Sequence, residues 1–323
     1  MKAIVHHQYG SPDVLHLEDA DTPTAKPNEL LVEVHASPVT QGDRRLRAAD
    51  FPGMSALVGR LMFGIFRPRH AIPGTNFAGV VVSIGSDVTQ FKVGDAVFGS
   101  SVHGAYAHYL AVAEASPVTK IPAEVSFLEA AAVPYGAATA LAFLRDVAQL
   151  QAGERVLIVG ASGAVGRFAV QIARHMGAHV TGVCRGQHAA LVTELGAHEV
   201  IDYELEDYTQ QTATYDVIFD TVSGDQFRRA ESCLAPHGRY LTVYLNLRVL
   251  AQMLWTSLRR RKRVLSSVVL GHQALTADVA QLLQTHASWP VIVSSHAFKD
   301  MATAHRALET EGSRGTVVVA VAS

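Results

Sequence analysis

A glycine-rich turn near the middle of the chain has the residue types and spacing that bind phosphate. The segment Gly160-Ala-Ser-Gly-Ala-Val-Gly166 follows the apolar run Val156–Val159, which predicts a buried strand. The residues after it predict a helix whose apolar face is formed by Val165, Phe168, Ala169 and Ile172. Glycines in such a turn let the backbone approach a pyrophosphate, and the helix N-terminus presents free N–H groups to it. The segment therefore predicts a dinucleotide-binding site.

The turn departs from the usual G-x-G-x-x-G pattern at its first position. Ala161 stands where the first glycine is usual, and Gly160 lies one residue earlier. A lone G-x-x-G also occurs in tight turns without a ligand, so the prediction rests on the strand–turn–helix context. We expect Gly163 to admit the phosphates and Gly166 to let the helix pack close to the strand. The predicted cofactor-binding turn consists of Ala161, Ser162, Gly163, Ala164, Val165 and Gly166.

The end of the next predicted strand indicates which dinucleotide binds. NAD-specific sites place Asp or Glu at this point, where the carboxylate accepts hydrogen bonds from the ribose 2′-hydroxyl. The strand here is His179–Cys184 and Arg185 follows it, so the carboxylate that would repel a 2′-phosphate is missing from this point. Arg185 either donates charge-assisted hydrogen bonds to that phosphate or simply points into solvent. We predict NADPH as the cofactor, with Cys184 and Arg185 among its binding residues.

Length and composition limit the remaining classes of protein. A chain of 323 residues is long for one core, which predicts two domains. The net charge of −2 gives no electrostatic reason to expect a nucleic acid or a membrane as partner. Because the two cysteines are too few for a disulfide framework and Met1–Val5 shows no signal-peptide pattern, we expect a cytoplasmic protein. The apolar runs are too short to span a bilayer.

Two regions of different pattern follow each other along the chain. Residues 1 to about 115 have short strand-like runs between glycines and prolines, interrupted by a helical pattern within Phe51–Arg69. From about Ser126 strands and helices alternate, which predicts an α/β fold with a doubly wound parallel sheet. The strands of that sheet are predicted at Val156–Gly160, His179–Cys184, Glu199–Tyr203, Tyr215–Asp220, Arg239–Tyr244 and Val264–Leu270. The last strand, Thr316–Val321, has no helix after it and is expected to rejoin the β-rich N-terminal domain.

Several further motifs follow each other in a characteristic order. They are Ile72–Gly79, Phe91–Gly99, Gly104–Tyr109, Val133–Ala140, Leu195–Tyr203 and Arg314–Val318. With them, essentially the whole chain resembles the medium-chain dehydrogenase/reductase superfamily, in its zinc-free quinone-oxidoreductase-like branch. The resemblance implies a GroES-like catalytic domain at residues 1–118, completed by 275–323, and a Rossmann NADP-binding domain at 119–274. It also implies a homodimer that pairs through the edge strand Val264–Leu270.

The same resemblance implies further site residues. The candidate catalytic residues are Thr40, Asp43 and Tyr135, and the cofactor residues outside the turn are Thr139, Tyr203, Val243, Tyr244 and Leu270. The branch often has Asn where Thr40 stands and Tyr where Phe51 stands, so two hydrogen-bond donors are missing here. Tyr135 is a phenolic donor or a packed aromatic residue, and Asp43 otherwise only orients neighbouring turns. We expect solvent or a backbone N–H to supply the proton to the substrate.

A metal site is not predicted. Zinc-dependent relatives place cysteine, histidine and cysteine where this chain has Thr40, Thr75 and Tyr135, and none of these is a soft or imidazole ligand. The 16 histidines show no spacing typical of metal ligands. His103 is the histidine that the resemblance places near the cleft.

A run of basic residues, Arg259–Arg263, either forms a solvated helix end or contacts phosphate or acidic partners, and we favour the first interpretation. The residues before it predict a helix with an apolar face that lines the cleft or a subunit contact: Met253, Leu254, Trp255 and Leu258.

Together these features predict an NADPH-dependent oxidoreductase that reduces quinones, enones or related activated carbonyl compounds by hydride transfer, without zinc. Two alternatives stay open. One is an enoyl thioester or carbonyl reductase of the same superfamily, and the other is a catalytically silent NADPH-binding protein with a sensor or structural role. The expected partners are a small-molecule substrate and a second copy of the chain, with no nucleic acid and no membrane.

Overall fold

The computed structural model describes residues 1–51, 55–212, 214–222, 226–259, 261–269, 271–285, 289–311 and 315–321. Leu270, which the sequence predicts as a cofactor residue, lies outside these ranges. The strands, in chain order, are β1 Lys2–Val5, β2 His16–Asp19, β3 Glu29–Val39, β4 Asn76–Ile84, β5 Ala96–Ser100, β6 Tyr109–Ala113, β7 Val118–Lys120, β8 Arg155–Val159, β9 His179–Cys184, β10 Glu199–Asp202, β11 Tyr215–Asp220, β12 Leu234–Thr242, β13 Arg263–Ser266, β14 Ile292–Ala297 and β15 Thr316–Ala320.

The helices, in chain order, are α1 Gln41–Ala48, α2 Ser55–Phe63, α3 Phe127–Ala132, α4 Pro134–Leu141, α5 Gly166–His175, α6 Ala189–Glu194, α7 Phe227–Ala230, α8 Leu247–Arg259, α9 Gln273–Gln284 and α10 Met301–Glu311. A π-helical turn, Ala142–Val147, continues α4. The helix predicted within Phe51–Arg69 is present as α2. Among the described residues, no helix combines the length and the apolar character needed to cross a membrane.

The chain divides into two compact units. The first comprises Met1–Tyr135, Gly271–His286 and Pro290–Ser323, and the second comprises Gly136–Leu270 with Ala287–Trp289. The sequence predicts the boundary after residue 118, whereas this division places it after Tyr135. Residues 119–135 stay with the first unit because α3 packs against β3, β4 and β15.

The first unit is built on a sheet with the order β14-β15-β3-β4-β5-β7, in which β6 also pairs with β3. Along β3 the side chains of Leu30, Val32 and Val34 alternate with half-exposed neighbours and are fully buried, as expected for a strand with one face on the core. The final strand β15 pairs antiparallel with β3, with Val317 opposite Val39. The prediction that the end of the chain rejoins the N-terminal domain is therefore confirmed.

The second unit is built on a six-stranded sheet with the order β10-β9-β8-β11-β12-β13, and every pair in it is parallel. Its central strands are apolar over most of their length, at Val156–Val159 in β8 and Val217–Phe219 in β11, since both faces of a parallel sheet are covered. All six predicted strands are present, although β13 ends at Ser266, before the predicted Leu270. The predicted α/β fold class is confirmed. The order reverses between β8 and β11, which marks the place where such sheets bind ligands.

Candidate functional site

The strands of the second unit end at one common edge. The register places Val159 of β8 beside Val183 of β9 and beside Asp220 of β11, which in turn lies beside Thr242 of β12. Ligands of open parallel sheets bind outside the carboxyl ends of the strands, where the strand order reverses. The chain segments that leave this edge contain most of the predicted cofactor residues: Ala161, Ser162, Gly163, Ala164, Val165, Gly166, Arg185, Tyr203, Val243 and Tyr244.

The glycine turn connects β8 to α5 by a tight hydrogen-bonded path. Gly160 has a φ of +81°, which glycine adopts without strain. The N–H groups of Gly160 and Ala161 both donate to the carbonyl oxygen of Val183, each at 3.0 Å. The N–H of Gly163 then donates to the carbonyl oxygen of Gly160 at 2.8 Å. Gly160, one residue before the usual first glycine of the motif, therefore makes the sharp turn. Ala161, which stands at the usual position, is fully buried.

The two later glycines of the turn have different surroundings. A Cβ atom on Gly166 would lie 2.1 Å from the carbonyl oxygen of Gly160, so only glycine allows α5 to start this close to the strand end. A Cβ atom on Gly163 would meet a single atom within 4 Å, the same carbonyl oxygen at 3.1 Å. Apart from that oxygen, the space beside Gly163 is open, and it lies against the first turn of a helix, where free N–H groups and the dipole favour an anion. The turn fits a dinucleotide pyrophosphate.

Arg167 is a functional candidate that the sequence did not single out. It occupies the first turn of α5 and is 1% exposed, and its Nη1 donates to the carbonyl oxygen of Ser162 at 2.8 Å. Within the described residues, its Nε and Nη2 atoms have no hydrogen-bond partner. Burial lowers the pKa of Arg167 to about 10, so it remains a cation at neutral pH. A cation in the first turn opposes the helix dipole, and that conflict was the available sequence signal.

Arg185 lies at the same edge but is already paired. Its Nε is 2.9 Å from Oε1 of Glu204, and its guanidinium carbon is 6.0 Å from the ring centre of Tyr203. The side chains of Arg185 and Glu204 are both about half exposed. Arg185 is therefore a half-exposed side chain that already pairs with a carboxylate.

A second carboxylate lies close to the loop after β9, although none lies at the end of β9 itself. A Cβ atom on Gly186 would lie 2.3 Å from Oδ2 of Asp202, which places that carboxylate against the loop after β9. Asp202 and Glu204 come from the end of the neighbouring strand β10. Burial, helped by Asp202, raises the pKa of Cys184 to about 11, so the thiol is neutral. Since Cys184 is 1% exposed, only its backbone is available to a ligand.

The remaining predicted cofactor residues of the second unit lie after β12 and on α4. The N–H of Val243 donates to the carbonyl oxygen of Asp220 at 3.4 Å, and the N–H of Tyr244 donates to Oγ1 of Thr242 at 3.2 Å. The first bond holds the chain after β12 against the end of β11, and the second is local to the end of β12. Thr139 is half-buried on α4.

In the first unit, the candidate catalytic residues meet at the start of α1. Thr40 caps this helix, and both its N–H and its hydroxyl donate to Oδ2 of Asp43, at 2.9 and 2.6 Å. The hydroxyl of Thr75 donates to Oδ1 of the same carboxyl group at 2.8 Å. A Cβ atom on Gly42 would lie 3.4 Å from the ring of Tyr135, so that ring packs at the same helix start. The structure thus brings Thr40, Asp43 and Tyr135 together.

The carboxyl group of Asp43 has a pKa above its ordinary value. The side chain is buried, and this burial raises the pKa of Asp43, although the hydrogen bonds from Thr40 and Thr75 act in the opposite direction. Thr75 was considered from sequence only as a position matching a zinc ligand. Its role as a hydrogen-bond donor to Asp43 was missed, because 32 residues separate the two in the chain.

A pocket in the same unit has Asp43 in its wall, together with His6, His70 and His103. The rings of His70 and His103 are stacked, with centroids 3.7 Å apart. Burial lowers the pKa of His6 to about 4 and also lowers the pKa of His103, so these imidazoles are neutral at pH 7. In the part of the chain that the structure describes, no three His, Cys, Asp or Glu side chains are placed to hold a metal ion.

Comparisons with known proteins agree with this geometry. The family model described as alcohol dehydrogenase GroES-like domain matches residues 26–123, and the model described as zinc-binding dehydrogenase matches residues 195–319. The chain is 32% identical over 288 residues to the chloroplastic quinone-oxidoreductase homolog of Spinacia oleracea, covering 84% of this chain and 83% of that protein. It is 30% identical over 356 residues to the mitochondrial NAD(P)H oxidoreductase RTN4IP1 of Homo sapiens, covering 99% of this chain and 89% of that protein.

Solved structures of two quinone oxidoreductases are similar to this chain over its full length or nearly so. The quinone oxidoreductase from Coxiella burnetii has a TM-score of 0.86 and 28% sequence identity, covering 100% of this chain and 99% of that chain. The quinone oxidoreductase from Pseudomonas syringae pv. Tomato DC3000 has a TM-score of 0.82 and 27% identity, covering 99% of both chains.

The raised pKa of Asp43 predicts a pH dependence of stability. A folded pKa above the unfolded value of about 3.9 gives stability that is fully present below that value and is lost as pH rises through the folded pKa. Asp43→Asn removes this titration while keeping the side-chain shape. Urea unfolding at several values above about pH 4 should therefore show a flatter pH profile for Asp43→Asn than for the unchanged protein. The exposed Asp21→Asn serves as control, and an unchanged profile in Asp43→Asn would contradict the assignment.

Substitutions of Gly163 and Gly166 should have different effects on folding stability and on NADPH binding. Gly166→Ala forces a methyl group onto the Gly160 carbonyl oxygen and should lower the free energy of unfolding by about 3 kcal/mol or prevent folding. Gly163→Ala should change the free energy of unfolding by less than about 1 kcal/mol, because the added methyl group meets only the Gly160 carbonyl oxygen within 4 Å. It should nevertheless weaken NADPH binding at least about ten-fold, since the methyl group occupies the approach to the phosphates. Calorimetric titration and urea unfolding separate the two effects, and full NADPH affinity in folded Gly163→Ala would disprove the phosphate site.

Proposed function

This chain belongs to the quinone-oxidoreductase-like branch of the medium-chain dehydrogenase/reductase superfamily, and from that premise we propose that it uses NADPH to reduce quinones, enones or related activated carbonyl compounds without zinc. The nicotinamide cofactor is common to the family's NAD(P)H oxidoreductases, whereas the choice of NADPH and the substrate class are our proposal. The observation that carries it is the glycine turn at the carboxyl edge of the parallel sheet, with open space beside Gly163.

Each part of the second unit has a task in this proposal. NADPH, when bound, supplies the hydride, and the protein supplies binding and orientation. The first turn of α5 holds the pyrophosphate through backbone N–H groups, and Arg167 adds a buried positive charge behind the turn. Arg185 binds the 2′-phosphate, for which it must exchange its partner Glu204.

The first unit provides the polar groups for the substrate. We assign Thr40 to contact with the substrate oxygen, for which its hydroxyl must turn away from Oδ2 of Asp43, its acceptor at 2.6 Å. We assign Asp43 to positioning, because its carboxyl group also accepts from the N–H of Thr40 at 2.9 Å. Tyr135 contributes a phenol beside the same helix start. In this proposal the proton comes from solvent or from a backbone N–H; among the hydrogen bonds of the described residues, Thr40 contacts neither a histidine nor a lysine. Zinc has no role in this scheme, since Thr40 and Thr75 donate to Asp43 where zinc-dependent relatives have metal ligands.

A dimer and a reducing compartment are also part of the proposal. The strand β13 forms one edge of the six-stranded sheet, and its open side is available to pair with a second copy. Both cysteines, Cys184 and Cys233, are free and buried, which suits the cytoplasm.

Steady-state oxidation of NADPH against a panel of quinones, enones, enoyl thioesters and aldehydes tests the activity. We expect turnover with quinones or enones, unchanged when a chelator is present throughout. Thr40→Val should lower this turnover at least about ten-fold with little change in NADPH affinity, because it removes the hydroxyl and keeps the volume. Turnover with enoyl thioesters or aldehydes alone would favour the other reductases of the superfamily, and binding of NADPH without any turnover would favour a silent NADPH-binding protein.

The pairing of Arg185 with Glu204 predicts how cofactor preference can be changed. One charge-assisted hydrogen bond to the 2′-phosphate corresponds to about ten- to a hundred-fold in affinity, so NADPH should bind tighter than NADH by about that factor. Arg185→Ala should shrink the difference without affecting NADH. Glu204→Gln should enlarge the difference between the NADPH and NADH affinities several-fold, since this substitution frees Arg185 and removes a carboxylate near the 2′-phosphate. Calorimetric titration of both cofactors measures this, with Glu206→Gln as control, and equal affinities in the unchanged protein would overturn the NADPH assignment.

A further inference from the structure

Helix α8 has an apolar side chain at most positions of its outward face. Its inner face carries Val249 and Thr256, which are 0% and 2% exposed. At 100° per residue, the opposite face carries the large side chains with the highest exposure: Leu247 at 60%, Leu250 at 42%, Leu254 at 71%, Trp255 at 45% and Leu258 at 83%. A surface helix normally places polar residues on this side. We call these five residues the leucine face.

The leucine face points away from the sheet. On the opposite side of α8, Oγ1 of Thr256 accepts a hydrogen bond from the N–H of Val264 at 3.1 Å, and this bond ties the helix to β13. The dimer edge proposed above lies on the backbone of β13, whereas the leucine face consists of side chains on α8. Contiguous exposed apolar surface of this kind marks a site of interaction.

The segment that carries the leucine face is rich in cations. The sequence contains no Asp or Glu between Glu231 and Asp278, whereas the same segment contains Arg248 and the run Arg259–Arg263. The guanidinium carbon of Arg259 lies 3.8 Å from the ring centre of Trp255, at the border of the leucine face. Arg261 and Arg263 are exposed directly after the helix. An apolar helix face bordered by arginines and a tryptophan is typical of helices that lie in a membrane interface.

We propose that α8 and the arginines after it bind the surface of an anionic lipid bilayer. The leucine face enters the boundary between headgroups and acyl chains, and Arg259, Arg261 and Arg263 contact the anionic headgroups. A second copy of the chain is a poorer occupant, because the same segment on that copy offers only cations and no carboxylate. The expectation that membranes are not partners rested on the net charge of −2, which averages over the whole chain and hides this local excess.

Flotation with lipid vesicles tests the proposal without cofactor or substrate, so its outcome is independent of the proposed reaction. The full-length protein should float with vesicles of phosphatidylcholine containing about 30% phosphatidylserine, and much less with phosphatidylcholine alone. High salt should reduce the binding. Arg261→Ala/Arg263→Ala should weaken it about 25-fold, at about five-fold for each cation. Leu254→Ser/Leu258→Ser should abolish it.

Matched controls come from other exposed positions of the second unit. Leu205 is 87% exposed and Arg228 is exposed, so Leu205→Ser and Arg228→Ala change the same residue types away from α8 and should bind vesicles as the unchanged protein does. In a Trp289→Phe background, Trp255 becomes the only tryptophan of the chain, and its fluorescence should shift to shorter wavelength with anionic vesicles. Circular dichroism confirms that each variant is folded.

Failure of the protein to bind anionic vesicles would overturn the proposal, as would equal binding to neutral vesicles. It would also be overturned if Leu254→Ser/Leu258→Ser converted a dimer to a monomer in analytical ultracentrifugation without changing vesicle binding. That result would assign the leucine face to a second copy.

Discussion

The close approach of α5 to the end of β8 is the constraint on which the rest of the site depends. The helix starts where a single added carbon atom on Gly166 would lie 2.1 Å from the Gly160 carbonyl oxygen. This contact places the first turn of α5 directly beyond the strand end, at the point where the strand order reverses. The start of the helix therefore lies beside Gly163, where a Cβ atom would meet only the Gly160 carbonyl oxygen within 4 Å.

Buried polar groups then divide the tasks between the two units. In the second unit a buried arginine, Arg167, stands behind the glycine turn and contributes positive charge where phosphates are expected. In the first unit a buried carboxyl group, Asp43, collects hydrogen bonds from Thr40 and Thr75. One unit is thus suited to an anionic cofactor, and the other offers threonine hydroxyl groups that donate to a buried carboxyl group.

Local patterns in the sequence were sufficient for much of this account. The glycine turn, the six parallel strands and the return of the last strand were all predictable, because each depends on residues close together in the chain or on a strong periodicity. Contacts between distant residues were not predictable. Glu204 beside Arg185 and Thr75 beside Asp43 arise from strands and turns that meet only after folding. The first-unit boundary was missed for the same reason, since α3 looks like the start of the alternating region but packs on β3 and β4.

Hydrogen–deuterium exchange with and without NADPH tests the central claim most directly, because it reports on the backbone N–H groups themselves. If the glycine turn binds the pyrophosphate, NADPH slows exchange in the peptide that contains Gly160–Gly166 and in the loop at Arg185, at the carboxyl edge of the sheet. Saturating NADPH that leaves exchange in both segments unchanged, or that protects only other parts of the chain, would contradict it.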